Sequence, residues 1–208
     1  LAERPEKSQI YLAQLSNKLD MGMELIESVK TYMAIDEKKI RFELQKINLK
    51  EAFAKANLLI HTGQEKKKIT INYDIDASLT ILGDPHTFVY SVITNLLSNA
   101  IKFSFPQSKI DVVACRVGGT VEVRIRDYGI GMPTELKEKV FDPTQPTSRK
   151  GTAGETGTGF GMPLVERLVQ SYEGNILINS WEAPTENVEQ GTEVIIKLWH
   201  VMDEAVAA

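Results

Sequence analysis

The stretch N-L-L-S-N-A-I-K-F-S, Asn95 to Ser104, sets a polar stripe on a helix otherwise suited to a core. Asn95, Asn99 and Lys102 recur at helical spacing, so one face presents two carboxamides and an ammonium, while Leu96, Leu97, Ala100 and Ile101 are left for packing. A half-buried helix tolerates such groups when something satisfies them. A magnesium-bound polyphosphate would do so, since carboxamide oxygens ligate a hard cation and a lysine neutralises phosphate charge. For Asn-x-x-x-Asn alone the simpler reading is a polar face that meets water. Two glycine motifs downstream, Asp127-x-Gly129-x-Gly131 and Gly157-x-Gly159-x-Gly161, reverse that preference.

The composition is that of an ordinary globular chain of 208 residues, with 42% hydrophobic and 25% charged residues. A net charge of −4, from 24 basic and 28 acidic residues, provides no broad basic footprint, so nucleic acid is not expected as a partner. The single cysteine, Cys115, excludes an internal disulfide and lies in an apolar strand-like run, which predicts a buried, inert thiol in a reducing compartment. No apolar run approaches the ~20 residues of a membrane span and no signal peptide opens the chain. Leu1 is not a natural start. The sequence therefore reads as a cytoplasmic piece of a longer protein, with any membrane anchor in segments outside it.

Residues 1–5 read as the tail of a loop, and Pro5 suits a first helical turn. Apolar residues from Ile10, Leu12, Leu15 and Leu19 through Met23, Ile26, Val29 and Met33 recur at steps of three and four, predicting a long amphipathic helix that ends between Asp36 and Leu44. At ~30 residues it would span ~45 Å, more than the domain that follows can cover, so part of its apolar stripe needs another helix. A second helix is expected from Asn48, its N-cap with Glu51 three residues on, to about His61, closed by Gly63. Lys66-Lys67-Lys68 reads as a solvated turn.

Strands follow at 69–73 and 79–82, and Asp84-Pro85 caps the helix that carries the asparagines. Gly118-Gly119 joins two strand runs, 109–117 and 120–127, as a hairpin with one wet face. Residues 134–140 form a short helix closed by Phe141, and 142–159 is an aperiodic loop of the kind that serves as a lid. A helix over 160–172 and strands over 175–181 and 192–199 complete the domain, with an acidic loop over 182–191 and a frayed tail over 202–208.

Each motif has a chemistry. Gly157-Thr158-Gly159-Phe160-Gly161 feeds a helix N-terminus, where bare N–H groups can converge on an anion. It lacks the strand-led pattern of dinucleotide folds, and there is no P-loop lysine signature. Asp127, at a strand end, can accept from an exocyclic amine such as that of adenine, although a strand-capping aspartate is an equal reading when the residue is taken alone. Phe103 could offer a ring face to a base, or simply be core.

Taken together, these residues resemble the GHKL superfamily of ATP-binding domains and, within it, the catalytic domain of sensor histidine kinases. Asn95 to Ser104 is similar to the N box, Asp127-x-Gly129-x-Gly131 to the G1 box, Phe141 to the F box and Gly157-x-Gly159-x-Gly161 to the G2 box. Gly191-Thr192 also fits the family, where a threonine lies by the base-binding aspartate. The long first helix resembles the second helix of the dimerisation and phosphoacceptor hairpin. The resemblance divides the chain into that truncated hairpin helix (1–46), a catalytic ATP-binding domain (47–201) and a tail (202–208). It implies a two-layer α/β (α+β) sandwich, a mixed, mostly antiparallel sheet covered by helices on one face.

Carried over by position, Asn99 ligates Mg²⁺, Asn95 and Lys102 face the phosphates as the catalytic pair, and Phe103 lines the base pocket. Asp127 recognises adenine, with Gly129, Ile130, Gly131 and Phe141 shaping the pocket around it and Thr192 beside it. Gly157, Thr158, Gly159, Phe160, Gly161 and Met162 wrap the β- and γ-phosphates of ATP. Arg149 or Lys150 in the lid could reach a phosphate, although a solvated lid charge is the simpler reading. ATP-hydrolysing relatives carry a glutamate where Asn95 stands, and an amide cannot act as a general base, which favours phosphoryl transfer over hydrolysis.

The departures are specific. No H-box-like acceptor signature is present; His61, His86 and His200 fall in the wrong contexts and read as ordinary surface or core residues. Phe160 and Met162 replace leucines usual in the G2 box, and the 182–190 loop is longer than typical. The implied function is that of a histidine protein kinase, transferring the ATP γ-phosphoryl to a histidine on a missing hairpin helix or a second subunit. A response-regulator receiver domain and a homodimeric intact protein are the implied partners. The alternative is a nucleotide-sensing module that binds ATP or ADP without transfer.

Overall fold

A computed structural model of the chain describes residues 5–40, 42–145, 147–183 and 189–201. The first four residues of the opening loop expected over 1–5, the tail over 202–208 and the middle of the acidic loop, 184–188, lie outside the described residues, as does the side chain of Ile10.

Helix α1 (Pro5–Asp36) ends where Lys38 takes a left-handed φ of 55°. Met21, Leu25, Tyr32 and Ile35 on one side are half-buried, and the helix packs on α6 (Gly161–Ser171). On the other side Leu12, Leu15, Leu19, Met23 and Ile26 are all more than half exposed, with Met23 at 70%. This is the uncovered apolar stripe that its length predicts.

Strand β1 (Gln45–Asn48), which sequence patterning did not suggest, pairs antiparallel with β3 (Thr80–Gly83). Asn48 then caps α2 (Leu49–Lys67), its side chain accepting from the Glu51 N–H at 3.1 Å. The helix does not close at Gly63. A Cβ there would lie an ordinary 3.7 Å from Ile101, so the glycine meets no demand for a turn, and the chain stays helical to a left-handed cap at Lys68 (φ 54°). The lysine run is not a solvated turn either: Lys66 and Lys68 are exposed, but Lys67 is 4% exposed and points inward.

Asp84 caps the following helix as expected, accepting from Thr87 N–H at 2.8 Å with Pro85 at the first position. That helix is composite: α3 (Pro85–Thr87), a π-helical segment (Phe88–Ile93) and α4 (Thr94–Phe103). The wider π turn buries Phe88, Val89, Val92 and Ile93, and both the N–H and the hydroxyl of Thr94 reach back to Val89 O. π segments are uncommon and cluster at functional sites, and this one delivers the asparagine-bearing α4.

Five strands make the main sheet in the order β2 (Thr70–Ile75), β4 (Lys109–Val117), β5 (Thr120–Asp127), β7 (Gly191–Trp199), β6 (Asn175–Trp181). Only β2 and β4 run parallel, so the sheet is mixed and mostly antiparallel. Helices α2, α4 and α6 share one core with it, built on residues such as Leu97, Ile110, Val121, Leu168 and Leu198. The other sheet face is wet, carrying Glu122 with Arg124 and Lys197. Cys115 lies on this face: β4 alternates, Ile110, Val112 and Ala114 turning inward, and the thiol is exposed rather than buried. The short helix α5 (Thr134–Lys137) is one turn, continued by turns to Phe141. Among the described residues, no helix is long and apolar enough to cross a membrane.

Leu97 is fully buried where α4 meets the sheet. Leu97→Ala is expected to cost about 3 kcal/mol, read as a lower urea midpoint at unchanged slope; an unshifted midpoint would contradict this account of the core.

Candidate nucleotide site

A cavity of about 310 Å³ opens between one face of α4, strands β5, β6 and β7, and the loop 142–159. On its sheet side lies Asp127, 5% exposed, the last residue of β5, paired in register with Ile110 of β4 and Thr192 of β7. Its Oδ1 accepts two backbone N–H groups, from Gly129 at 3.0 Å and Thr192 at 3.1 Å. Burial pushes this carboxyl up to about 6, against the pull of those N–H groups and of Arg126 and Arg149. Thr192 is also buried, its hydroxyl 2.8 Å from that of Ser180.

On the helix side stand Asn95, Asn99 and Lys102. Asn95 donates from Nδ2 to Ser91 O at 2.6 Å, which aims its carboxamide oxygen toward the start of α6. Burial lowers the Lys102 ammonium; Glu155 opposes that shift, and Arg149 and Lys67 add to it. Two cations lie over the Phe103 ring, Lys102 Nζ 4.8 Å and the Arg149 guanidinium 4.7 Å from its centre. Arg149 also donates to Gly131 O.

The lid side is closed by Gly157, Thr158, Gly159, Gly161 and Met162. Thr147 and Ser148 donate from their hydroxyls to Gly159 O at 3.0 Å and Gly157 O at 2.6 Å, tying the two arms of the loop together. A Cβ on Gly157 would come within 2.6 Å of Lys102 Nζ, and one on Gly161 within 2.6 Å of Asn95 Oδ1. Glycine at these positions lets the loop backbone lie against the polar stripe of α4.

Six of the residues singled out by sequence do not line the cavity: Gly129, Ile130, Gly131, Phe141, Lys150 and Phe160. A Cβ at Gly129 would lie 2.0 Å from Phe103 O and one at Gly131, with φ 65°, 2.1 Å from Trp181 O, so protein backbone packs on both. Ile130 N–H donates to Phe103 O at 3.1 Å. Phe141 is half-buried against the core, Lys150 is exposed, and Phe160 turns its ring edge to Tyr32 of α1 at 5.5 Å. None of His61, His86 and His200 lines the cavity.

Sequence reasoning missed the contribution of α1. Met21 and Glu24 line the cavity mouth, and Thr156 of the lid donates to Met21 Sδ at 3.2 Å. Nothing local marks these two positions among the other turns of a long helix. Ile125, Met132, Leu136, Val140, Ile178 and Val194 supply an apolar wall that reads in sequence only as strand and helix core.

A model of the histidine kinase-, DNA gyrase B- and HSP90-like ATPases matches residues 84–201, so the chain belongs to that family, and the relatives it matches include sensor histidine kinases. It is 26% identical over 180 residues to the sensor histidine kinase RcsC of Salmonella typhimurium strain LT2, a match that covers 86% of this chain and 19% of RcsC. The fold is similar to that of full-length ShkA in complex with AMPPNP, with a TM-score of 0.74 and 19% identity over 99% of this chain and 41% of that one. It is also similar to histidine kinase ThkA in complex with the response regulator protein TrrA, with a TM-score of 0.70 and 20% identity over 98% and 55% of the two chains. The chain thus spans about a fifth of the length of a curated relative such as RcsC.

Two predictions separate the roles in this site. Asp127 is raised from an ordinary 3.8 to about 6 in the folded chain, so its contribution to stability is greatest in acid and is lost as pH rises through that window. Asp127→Asn is therefore expected to stabilise the nucleotide-free protein at pH 8 by about 2 kcal/mol and to flatten the stability profile between pH ~4 and ~6. Urea titrations across pH would show the reverse sign if the carboxylate were a net stabiliser. Gly129→Ala, facing rigid backbone, is expected to cost more than about 3 kcal/mol, whereas Gly157→Ala, facing the end of a lysine, leaves the unfolding midpoint nearly unchanged.

Proposed function

We propose that this domain binds Mg-ATP across the cavity and donates the γ-phosphoryl group to a histidine carried on another helix or another subunit. The observation that supports this most is the pairing of a buried carboxylate, held by two backbone N–H groups, with a carboxamide–lysine stripe in one cavity. The first suits an exocyclic amine on an apolar-walled base; the second suits polyphosphate and a hard cation. Asn99 would hold Mg²⁺, which supplies charge neutralisation when bound. Among the described residues no group of three or more His, Cys, Asp or Glu could hold a metal ion, so the cation is expected to arrive with the phosphates.

Within this reading Lys102 neutralises phosphate charge, and its half-buried setting strengthens that interaction over one in water. Asp127 and Thr192 orient the base, Phe103 flanks it, and Arg149 lies over the Phe103 ring. The glycine-rich turn at 157–161 excludes water and presents N–H groups at the start of α6. Asn95 has no proton affinity near neutrality and cannot activate water, which favours transfer to an incoming imidazole over hydrolysis. Catalysis then rests on positioning and charge rather than on covalent chemistry by this chain.

The division into a hairpin helix (1–46), catalytic domain (47–201) and tail (202–208) belongs to the same proposal. The exposed apolar stripe of α1 suits a helical partner, a homodimer in the intact protein, and the TrrA complex of ThkA makes a receiver domain the expected acceptor downstream.

Incubation with labelled Mg-ATP and a separate histidine-bearing hairpin is expected to place acid-labile phosphate on the hairpin. Asn99→Asp or Gly159→Ala should abolish the label. Nucleotide binding without transfer would replace this reading by a nucleotide-sensing module, and no heat of association at millimolar Mg-ATP would remove both.

A further inference from the structure

Lys67 is the last residue of α2, and its side chain is 3% exposed although both neighbouring lysines are in solvent. Its ammonium lies 2.8 Å from Ile101 O and 2.6 Å from Lys102 O, the free carbonyls at the end of α4, and 3.3 Å from Ser104 O just beyond. The same nitrogen meets two lid groups, Thr152 Oγ1 at 2.7 Å and Glu155 Oε1 at 2.7 Å. A cation at a helix C-terminus satisfies orphan carbonyls and the negative end of the helix dipole. Here it also draws a distant loop onto that terminus.

The loop segment is shaped for the seat. Gly151 N–H donates to Glu155 O at 2.8 Å, Ala153 N–H donates to Glu155 Oε2 at 2.9 Å, and Gly154 takes a φ of 83°, closing a tight turn. Thr152 N–H donates to Lys102 O at 3.1 Å, and a Cβ on Gly151 would come within 2.6 Å of that oxygen. Residues 151–155 are thus fastened to the residue whose side chain faces the cavity, two positions before the glycine that packs on its ammonium.

We propose that Lys67 is a positioning residue for the phosphate end of the site: with Thr152 and Glu155 it pins the middle of the lid to the α4 terminus and so holds Lys102 and Gly157 in register. The lid then does not lift as one flap. Its two arms, one carrying Arg149 and the other the glycine-rich turn, are clasped to each other through Thr147 and Ser148 and meet at a fixed turn. The base end, built on Asp127 and Thr192, does not depend on this pin.

This inference rests on the Mg-ATP reading, and the test separates the two. Lys67→Met keeps the aliphatic stem, and Glu155→Gln, at a partly exposed partner, guards against a fold lost in the first variant. In the nucleotide-free chain both are expected to raise hydrogen exchange at Gly151 to Gly157 by about tenfold while β4 and β5 keep their protection. Mg-ATP affinity is expected to fall by about tenfold with adenosine affinity unchanged, and the double variant should lose little more than Lys67→Met alone. Exchange that rises equally throughout the domain, or ATP and adenosine affinities that fall together or not at all, would overturn the pin. If the wild-type chain fails to bind Mg-ATP, the functional reading falls, while the exchange comparison still decides whether Lys67 anchors the lid.

Discussion

One carboxylate oxygen holds two strand ends to a common point: Asp127 Oδ1 accepts from Gly129, in the turn leaving β5, and from Thr192, at the start of β7. Taking a carboxylate out of water is costly, and burial raises this group to about 6 although the two N–H groups oppose the rise. A chain selected only for stability would place an amide or an apolar residue there. The charge is instead kept buried at the end of a cavity, fixed before any ligand arrives, which is the condition for electrostatic recognition without reorganisation.

Around that point the structure is assembled by backbone approaching backbone. Gly129 lies on Phe103, Gly131 on Trp181 and Gly191 on Asp127, each so close that a single added carbon would overlap main-chain atoms. The first of these seats the end of α4 against the turn leaving β5, beside the opening that the asparagines and Lys102 face. The π segment at Phe88–Ile93 contributes from the other side by settling which face of the long helix reaches the cavity. Small residues act here through what they allow the backbone to do.

The lid is folded back on the domain through polar groups rather than through an apolar core. Thr147 and Ser148 clasp the carbonyls of Gly159 and Gly157, and Lys67 gathers the turn at Thr152 and Glu155. Helix α1 reaches the same loop by a separate route. Met21 meets Thr156 at the cavity mouth, Tyr32 meets Phe160, and Asp36 pairs with Arg167 of α6, whose guanidinium also lies over Tyr32. Displacing α1 would therefore be felt at the lid without passing through the sheet.

Local chemistry was legible in the sequence wherever cause and effect lie within a few residues of each other. The caps at Asn48 and Asp84, the Gly118-Gly119 hairpin, the apolar faces of α2, α4 and α6, and the carboxamide stripe all follow from short-range rules of spacing and turn geometry. The resemblance carried by four motifs supplied the sheet type. Tertiary structure decided the rest, because burial depends on partners that are distant along the chain. Lys67 differs from Lys66 and Lys68 only in pointing at carbonyls 34 and 35 residues away. Cys115 and Gly63 were misjudged for a related reason: a strand's alternation does not say which face is covered, and a glycine inside a helix does not say whether the next turn has a seat waiting for it. Residue order encodes which groups can act; only the folded chain determines which of them are dry, and in electrostatics dryness sets the strength of every interaction.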